Sequence, residues 1–328
     1  MQAVFFDTDK SLRDFANAHP IQDVDFLLTP KSFNELNSKQ ISAYSKADII
    51  SVFTHSDMLD TGKLALFPKL KLIATRSTGT NHIDLDYCQK HHIQVQNVPY
   101  YGATTVAEFA FGLILNLSRH ISQARQDMKF GTIHMQNYIG FDLAGKSLGI
   151  IGTGSIGQHM IQLAQGFGMK VLAYDPFPNP KYKKFYVLWN TLLQKSDIIS
   201  LHIPSTPQNY HLLNDNAFQK MKKGVLIINT ARGDIIDTRA LYNALTSGKV
   251  AGAGLDVLEN EDILFHDDIL LKKFQPSEQI LLDSTFNLKL MQQPNVIITP
   301  HIAFNTTDAL ERILITTFES IQNFVQEN

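Results

Sequence analysis

Cysteine is almost absent: Cys88 stands alone among 328 residues. One thiol excludes an intramolecular disulfide and any metal site built from several cysteines, and Cys88 reads as an ordinary part-buried side chain. Charge is scarce too. Charged residues make up 18% of the chain and the formal net charge is -2. No basic stripe and no block of like charge occurs, which argues against a nucleic-acid partner and a disordered charged tail. Long apolar runs are missing. The richest stretch, Val106 to Leu117, carries Glu108 and Asn116 and is too short to span a bilayer. The opening MQAVFFDTDK lacks the basic start and apolar core of a secretory signal. The expectation is a soluble, cytoplasmic protein with no membrane partner. No repeat or low-complexity segment is visible. The chain has 12 histidines, but none forms H-x-x-x-H on a helix or joins a carboxylate at ligand spacing, so no metal is expected. His91-His92 reads as a solvated loop. At 44% hydrophobic, the chain can bury a sizeable core as one large domain or two ordinary ones.

What is present centres on Ser147 to Asp175, SLGIIGTGSIGQHMIQLAQGFGMKVLAYD. Leu148 to Ile151 is a short apolar run suited to a strand buried on both faces. Gly152, Gly154 and Gly157 then give G-x-G-x-x-G. Ile156, Met160, Leu163, Ala164 and Phe167 follow at helical spacing, and Gly166 and Gly168 can end that helix. Val171 to Tyr174 returns as a strand and stops at Asp175. Such a unit binds a dinucleotide. Gly152 permits the turn, Gly154 admits a pyrophosphate, Gly157 allows close helix–strand packing, and the helix N-terminus attracts phosphate. Asp175, 18 residues beyond Gly157, stands where a carboxylate accepts the ribose hydroxyls. A structural glycine turn without cofactor is the bland alternative, and strand, helix, second strand and terminal acid together argue against it.

The chain before this unit alternates β-rich runs with helical patterns. Strands are expected at 3–7, 25–29, 48–54, 71–76 and 93–98, with amphipathic pieces at Leu64 to Leu70 and Asp84 to Lys90. That is a small open α/β unit. Ala103 to Phe130 reads as one long helix, with Val106, Phe109, Ala110, Leu113, Leu117 and Ile121 on one face. It packs either against a second subunit or across the two domains. After Asp175, strands are expected at 197–203, 225–230, 250–257 and 295–300, and helices at Tyr186–Gln194, Asn214–Met221 and Thr238–Thr246. About six strands result, the doubly wound count. Asp262 to Pro294 is long for a connection, and its Phe265, Leu270, Phe274, Ile280 and Leu282 suggest that it packs. The last helix, Asp308 to Val325, is expected to return to the first domain. The domains are then 1–100 plus 301–328, and 101–300.

Two motifs mislead. Gly140 to Ser147 matches GxxxxGK[ST], but a phosphate loop of that kind follows a buried strand and opens a helix. Here it follows the polar stretch His134 to Tyr138 and feeds a strand. Asn116-Leu117-Ser118 and Asn305-Thr306-Thr307 match glycosylation acceptors, without a secretion signal to give them meaning.

Three later segments put a polar residue where a strand ends: Arg232 in INTARGDIIDTRAL, Asp256, Glu259 and Glu261 in GLDVLENED, and His301 in VIITPHIAF. Singly, each has a plain structural reading. Together they fall at one edge of one sheet, where a nicotinamide should lie.

With ATRSTGTNHIDL, NVPYYGATTVAEFAFGLIL and NVIITPHIAFNTTDALERI added, the chain resembles the NAD-dependent D-isomer-specific 2-hydroxyacid dehydrogenases over nearly its whole length. Its nearest likeness is to the D-lactate dehydrogenases. The resemblance implies two Rossmann-like, doubly wound parallel-sheet domains with a cofactor cleft between them, NAD as cofactor and a homodimer. It implies that Arg232 grips the substrate carboxylate, that His301 exchanges a proton with the carbonyl oxygen, and that Glu261 orients the ring. Thr78 and Gly79 would offer backbone N–H groups to the carboxylate, and Tyr101 would border the substrate. Ser155 and Ile156 would offer backbone to the pyrophosphate. Pro204, Asn209, Thr230, Ala231 and Asp256 would line adenosine and nicotinamide. Asn209 stands where many members have Thr, and Asn305 where some lactate enzymes have an aromatic residue. Phe53 and His55 both fall where an aromatic substrate neighbour is expected. Pyruvate or a close 2-oxo acid is the implied substrate. Glyoxylate, hydroxypyruvate and 3-phosphoglycerate are the enzyme alternatives, and an NADH-sensing, corepressor-like scaffold is the alternative from another class.

Overall fold

The computed structural model describes residues 1–53, 58–261 and 278–327. His55, Phe265, Leu270 and Phe274 lie outside these residues. The chain divides into two compact units, Met1–Tyr101 with Thr306–Asn328, and Gly102–Asn305. No helix among the described residues is long and apolar enough to cross a membrane.

The first unit holds five parallel strands, β1 (Gln2–Phe5), β2 (Asp25–Leu28), β3 (Ile49–Val52), β4 (Leu72–Thr75) and β5 (Gln94–Gln96), in the order β2-β1-β3-β4-β5. Four fall within the expected runs, and β1 starts one residue before its run of 3–7. The central β3 and β4 are buried along their whole length, which is why they read as unbroken apolar runs rather than alternating ones. Helices open on capping side chains: Asp9, Asn37, Asp60 and Asp84 each accept a first-turn N–H, which satisfies a donor the helix cannot satisfy itself. The helical piece expected at Leu64 to Leu70 is instead the single turn Thr61–Leu64. The C-terminal helix, Thr307–Glu327, buries Ile313, Leu314, Phe318, Ile321 and Phe324. Phe318 meets Phe5, Phe15 and Phe26 at ring-centroid distances of 5.5, 5.1 and 5.2 Å.

The second unit holds six parallel strands, β6 (Ser147–Ile151), β7 (Lys170–Tyr174), β8 (Ile198–Leu201), β9 (Val225–Asn229), β10 (Val250–Leu255) and β11 (Val296–Ile298), in the order β11-β10-β9-β8-β6-β7. The order reverses at β6, so the crevice that binds ligands in open α/β sheets falls at the carboxyl ends of β6 and β8. Gly140 to Ser147 leads straight into β6, with no helix after it.

The long helix expected over 103–130 is two helices. Ala103–Arg119 buries Ala107, Ala110, Phe111, Leu113 and Ile114, and Leu113 lies against Gly254 of β10. His120 then takes a left-handed conformation (φ 54°) and breaks the run. The following helix, Ile121–Phe130, buries no residue, and Ile121 is exposed. Periodicity carried the pattern through His120 because the apolar spacing continues across it.

A second departure concerns 278–294. Helix Glu278–Met291 buries Asp283, Asn287 and Leu290, whereas Leu282, expected inside, is exposed. Its inward face is polar because a loop of polar backbone lies against it, as described below.

A Cβ at Gly157 would overlap the carbonyl oxygen of Gly152, backbone against backbone, whereas one at Gly154 would meet open space. Gly157→Ala should therefore cost about 1–3 kcal/mol, a fall of roughly 3–10 °C in Tm. Gly154→Ala should leave the thermal unfolding curve almost unmoved. Thermal denaturation followed by circular dichroism checks both.

Candidate active site

The glycine turn sorts its glycines by cause. Gly152 has φ 92°, and a Cβ there would overlap the His202 carbonyl at the end of β8. Gly157 is required by Gly152. Gly154 alone is not required by the protein, being exposed with nothing around its absent Cβ. It opens helix Ser155–Gly166, whose first turn has no side-chain cap. An open approach to an uncapped helix N-terminus is what a pyrophosphate requires, so these residues fit a dinucleotide, with Ser155 and Ile156 in the first turn.

Asp175 follows β7, and its carboxylate is held in place. Oδ2 accepts from the Thr153 N–H at 2.7 Å and the Thr153 hydroxyl at 3.0 Å, and Oδ1 accepts from the Phe177 N–H at 2.9 Å. The Tyr186 hydroxyl lies 2.7 Å from that of Thr153 and accepts from the Asn179 N–H at 2.8 Å. Thr153 and Tyr186 were not legible as site residues. The one signal was the position of Thr153 inside the glycine motif.

The three polar strand ends lie on neighbours, because β9, β10 and β11 are adjacent and parallel. At the end of β9, Asn229 pins the turn: its Oδ1 accepts from Ala231 N–H at 3.0 Å and its Nδ2 donates to the Arg232 carbonyl at 2.8 Å. Thr230 and Ala231 are buried in that turn. Arg232 is half-buried, donates through one guanidinium nitrogen to the Ala231 carbonyl at 2.6 Å, and makes no ion pair among the described residues. Its fork keeps donors for a carboxylate.

At the end of β10, Glu261 Oε1 lies 2.7 Å from His301 Nδ1, and Glu261 Oε2 accepts from the Leu258 N–H at 2.9 Å. His301 follows β11 in a left-handed conformation (φ 51°). Asp256 holds it there. This fully buried carboxylate accepts from the Thr299 hydroxyl at 2.6 Å and from the Ile302 and Ala303 N–H groups at 3.0 and 2.8 Å. The Asp256 carbonyl accepts from the His301 N–H at 2.9 Å. Burial raises the Asp256 pKa above the ordinary carboxylate value, against the opposing pull of these hydrogen bonds and of His301. Asp256, assigned to the cofactor by resemblance, thus has both carboxylate oxygens engaged with the histidine loop. Glu259 does not touch His301; it pairs with His211.

Elsewhere in the second unit, Asn209 Nδ2 donates to the Pro204 carbonyl at 3.0 Å and closes the loop after β8. In the first unit, the turn after β4 has its carbonyls satisfied from within. Val98 N–H donates to Ser77, Asn97 Nδ2 to Thr78 and Ser77 Oγ to Gly79. Among the described residues, the N–H groups of Thr78 and Gly79 meet no acceptor, which suits an anion. Behind the turn, the buried Thr75 hydroxyl bridges Ser77 Oγ at 2.7 Å and His82 Nε2 at 3.0 Å. The Tyr101 carbonyl accepts from Arg312 at 2.8 Å.

Fold and geometry thus fit a dinucleotide-dependent oxidoreductase, with a carboxylate–imidazole pair and Arg232, which makes no ion pair among the described residues, at the ends of neighbouring strands. Comparison with known proteins makes the class specific. Residues 111–303 match the family model of the D-isomer specific 2-hydroxyacid dehydrogenase NAD binding domain. The D-lactate dehydrogenase of Escherichia coli is 38% identical over 91% of this chain and 87% of its own. An aromatic 2-oxoacid reductase of Clostridium sporogenes is 40% identical over 78% of this chain and 76% of its own. The crystal structure of the D-lactate dehydrogenase from Aquifex aeolicus, complexed with NAD and lactic acid, has a TM-score of 0.85 and 36% identity, covering 99% of this chain and 96% of that one. The chain belongs to the NAD-dependent D-isomer-specific 2-hydroxyacid dehydrogenases.

Cofactor choice should follow Asp175. A fixed carboxylate accepts ribose hydroxyls and repels a 2′-phosphate. The wild type should prefer NADH strongly over NADPH, and Asp175→Ala should narrow that preference by about tenfold or more, the scale of one lost charge-assisted hydrogen bond. Dissociation constants for both dinucleotides, from quenching of the single tryptophan, Trp189, check it. Equal use of NADPH by the wild type would remove Asp175 from the ribose site.

Proposed function

We propose that this enzyme reduces pyruvate, or a 2-oxo acid close to it in size, to the D-2-hydroxy acid. The observation that carries the reading is the 2.7 Å contact between Glu261 and His301 Nδ1, at a strand end beside the one that bears Arg232. The bound nicotinamide supplies the hydride for the carbonyl carbon. Arg232 takes the substrate carboxylate in its planar fork. Glu261 holds Nδ1, so the proton for the carbonyl oxygen leaves from Nε2 of His301. Thr78, Gly79 and Tyr101 are the substrate contacts we assign to the first unit. In the oxidation direction the same ring takes the hydroxyl proton back.

Relatives support the small-acid reading: one is a D-lactate dehydrogenase and another was crystallised with lactic acid. A phosphorylated substrate finds less support. Arg76, the basic residue nearest Thr78, is buried, donates to the Phe6 carbonyl and lies 5.6 Å from the Phe53 ring centroid. Burial pulls its guanidinium down to about 10. That arginine is used by the fold of the first unit.

The deciding experiment is turnover of a panel of 2-oxo acids with NADH, including pyruvate, hydroxypyruvate, glyoxylate and phenylpyruvate, followed by chiral analysis of the product. Reduction needs the protonated ring. A carboxylate beside an imidazole favours its charged form, so Glu261→Gln should move the alkaline limb of kcat/KM to lower pH while NADH affinity holds. An unmoved limb would show that another group tunes His301.

We also infer that a second copy covers the segment Ile121 to Ile139. The helix Ile121–Phe130 and the turn Met135–Tyr138 bury no residue, yet Met128, Phe130, Met135 and Ile139 are all exposed, the last by 77%. Tyr138 and Gln123 both bond Asp127 at 2.8 Å and hold the arm in shape. An ordered arm with that much apolar surface fits a subunit contact. Sedimentation should show a dimer, and Met135→Asp with Ile139→Asp should give monomers.

A further inference from the structure

The loop that carries Glu261 carries a second carboxylate–imidazole pair two residues earlier. Glu259 is buried, its side chain only 5% exposed, and its Oε1 lies 2.8 Å from His211 Nε2. The Tyr210 hydroxyl donates to Oε1 at 3.2 Å and the Thr238 hydroxyl to Oε2 at 3.1 Å. The Glu259 carbonyl accepts from Asn287 at 2.8 Å, and the Asn260 amide donates to Asp283 at 3.0 Å. No lysine or arginine takes part in these bonds.

These partners come from three segments. Tyr210 and His211 sit on the loop that Asn209 and Pro204 close. His211 stands in a left-handed conformation (φ 49°), held further by its N–H on the Asp234 carbonyl at 2.9 Å. Asp234 in turn accepts from Ser205. Thr238 starts the helix Thr238–Thr246, six residues beyond Arg232. Gly233 follows Arg232 directly, and a Cβ there would overlap the Leu258 carbonyl and the Glu259 nitrogen. Asp283 and Asn287 lie one turn apart on the helix Glu278–Met291. The buried carboxylate therefore fastens the loop of Tyr210 and His211 and the start of helix Thr238–Thr246 to the Glu261 loop, and the Gly233 backbone contact presses the Arg232 turn onto the same loop.

We propose that Glu259, with His211, is a positioning residue of the reaction: it sets the distance between Glu261 and His301 and the placement of Arg232 beside them. This rests on the reading of Glu261–His301 as the acid/base pair. Glu259 lies two residues from Glu261 along the chain, and the Leu258 N–H bonds Glu261 itself. Release of Glu259 frees the chain on both sides of that bond. A displacement of about 1 Å at a reacting group can cost on the order of 100-fold in rate.

The test compares Glu259→Ala, Glu259→Gln and His211→Asn with the wild type. The readouts are kcat on pyruvate with NADH and with 4-deuterated NADH, NADH affinity by fluorescence, and solvent exchange of the low-field ring N–H proton of His301. That resonance is assigned by its loss in His301→Ala. Glu259→Ala should lower kcat by about 10- to 100-fold, raise the isotope effect on hydride transfer, hasten ring N–H exchange, and leave NADH affinity within about threefold. Glu259→Gln keeps an acceptor for Tyr210 or Thr238 and should recover most of the rate. His211→Asn, at a partly exposed position, should reproduce the alanine effect in weaker form even if Glu259→Ala folds poorly. A lower Tm with unchanged isotope effect and unchanged exchange in Glu259→Ala or His211→Asn would overturn the proposal and leave Glu259 a purely structural acid. If the wild type turned over no 2-oxo acid, the functional reading would fall, and the exchange measurement would still decide whether Glu259 holds the Glu261–His301 bond.

Discussion

Backbone against backbone, at the carboxyl edge of the second sheet, is the contact on which the rest of the site depends. It occurs three times. Gly152 abuts the His202 carbonyl, Gly157 abuts Gly152, and Gly233 abuts Leu258 and Glu259. At each place a methyl group would overlap main-chain atoms, which cannot rotate away as a side chain can. The first two contacts fix the glycine turn at the point where strand order reverses. The third presses the Arg232 turn against the Glu261 loop. The glycine turn, the Arg232 turn and the Glu261 loop are thus placed by main chain, and the side chains inherit that precision.

Buried carboxylates then hold the loops that main-chain contact has brought together. Asp256 and Glu259 lie on the same segment and bind different partners. Asp256 accepts from Thr299, Ile302 and Ala303 and shapes the left-handed His301. Glu259 accepts from His211, Tyr210 and Thr238. Burying such charges is costly unless their lone pairs are filled, and the upward shift at Asp256 is the mark of that cost. The same cost penalises any arrangement of the loops that leaves these acceptors unfilled. Tyr210 feels the reverse side of it: burial and the nearby Glu259 charge push its phenol up to about 12, so it stays a donor.

Much of this was legible in the sequence. Every expected strand exists, because a parallel strand buried on both faces leaves a dense apolar run. The glycine motif, Asp175, Arg232, Glu261 and His301 were legible because each follows such a run, and adjacent strand ends in a parallel sheet share an edge. What escaped depended on distant partners. Thr153 meets Asp175 across 22 residues, Tyr186 meets Thr153 across 33, and His211 meets Glu259 across 48. Spacing along the chain carries no trace of such pairs. The helix Glu278–Met291 misled for a related reason. Its Leu281, Leu282 and Leu288 are exposed, and its inward Asp283 and Asn287 bond the Asn260 amide and the Glu259 carbonyl. At His120 the apolar pattern continued while the backbone turned left-handed, and nothing in the periodicity marks a single residue of that kind.

Two glutamates two residues apart on one loop, each against a histidine, look interchangeable in sequence. Their surroundings separate them. Solvent reaches both members of the Glu261–His301 pair, whose side chains are 20% and 23% exposed. In the other pair Glu259 is enclosed, and its oxygens are shared among three donors from two elements. Its bonds hold a loop, whereas the His301 loop is held separately, by the bonds of Asp256 to the Thr299 hydroxyl and to the Ile302 and Ala303 N–H groups. The same two residue types therefore make one pair that solvent reaches at a strand end and one enclosed pair that ties loops together.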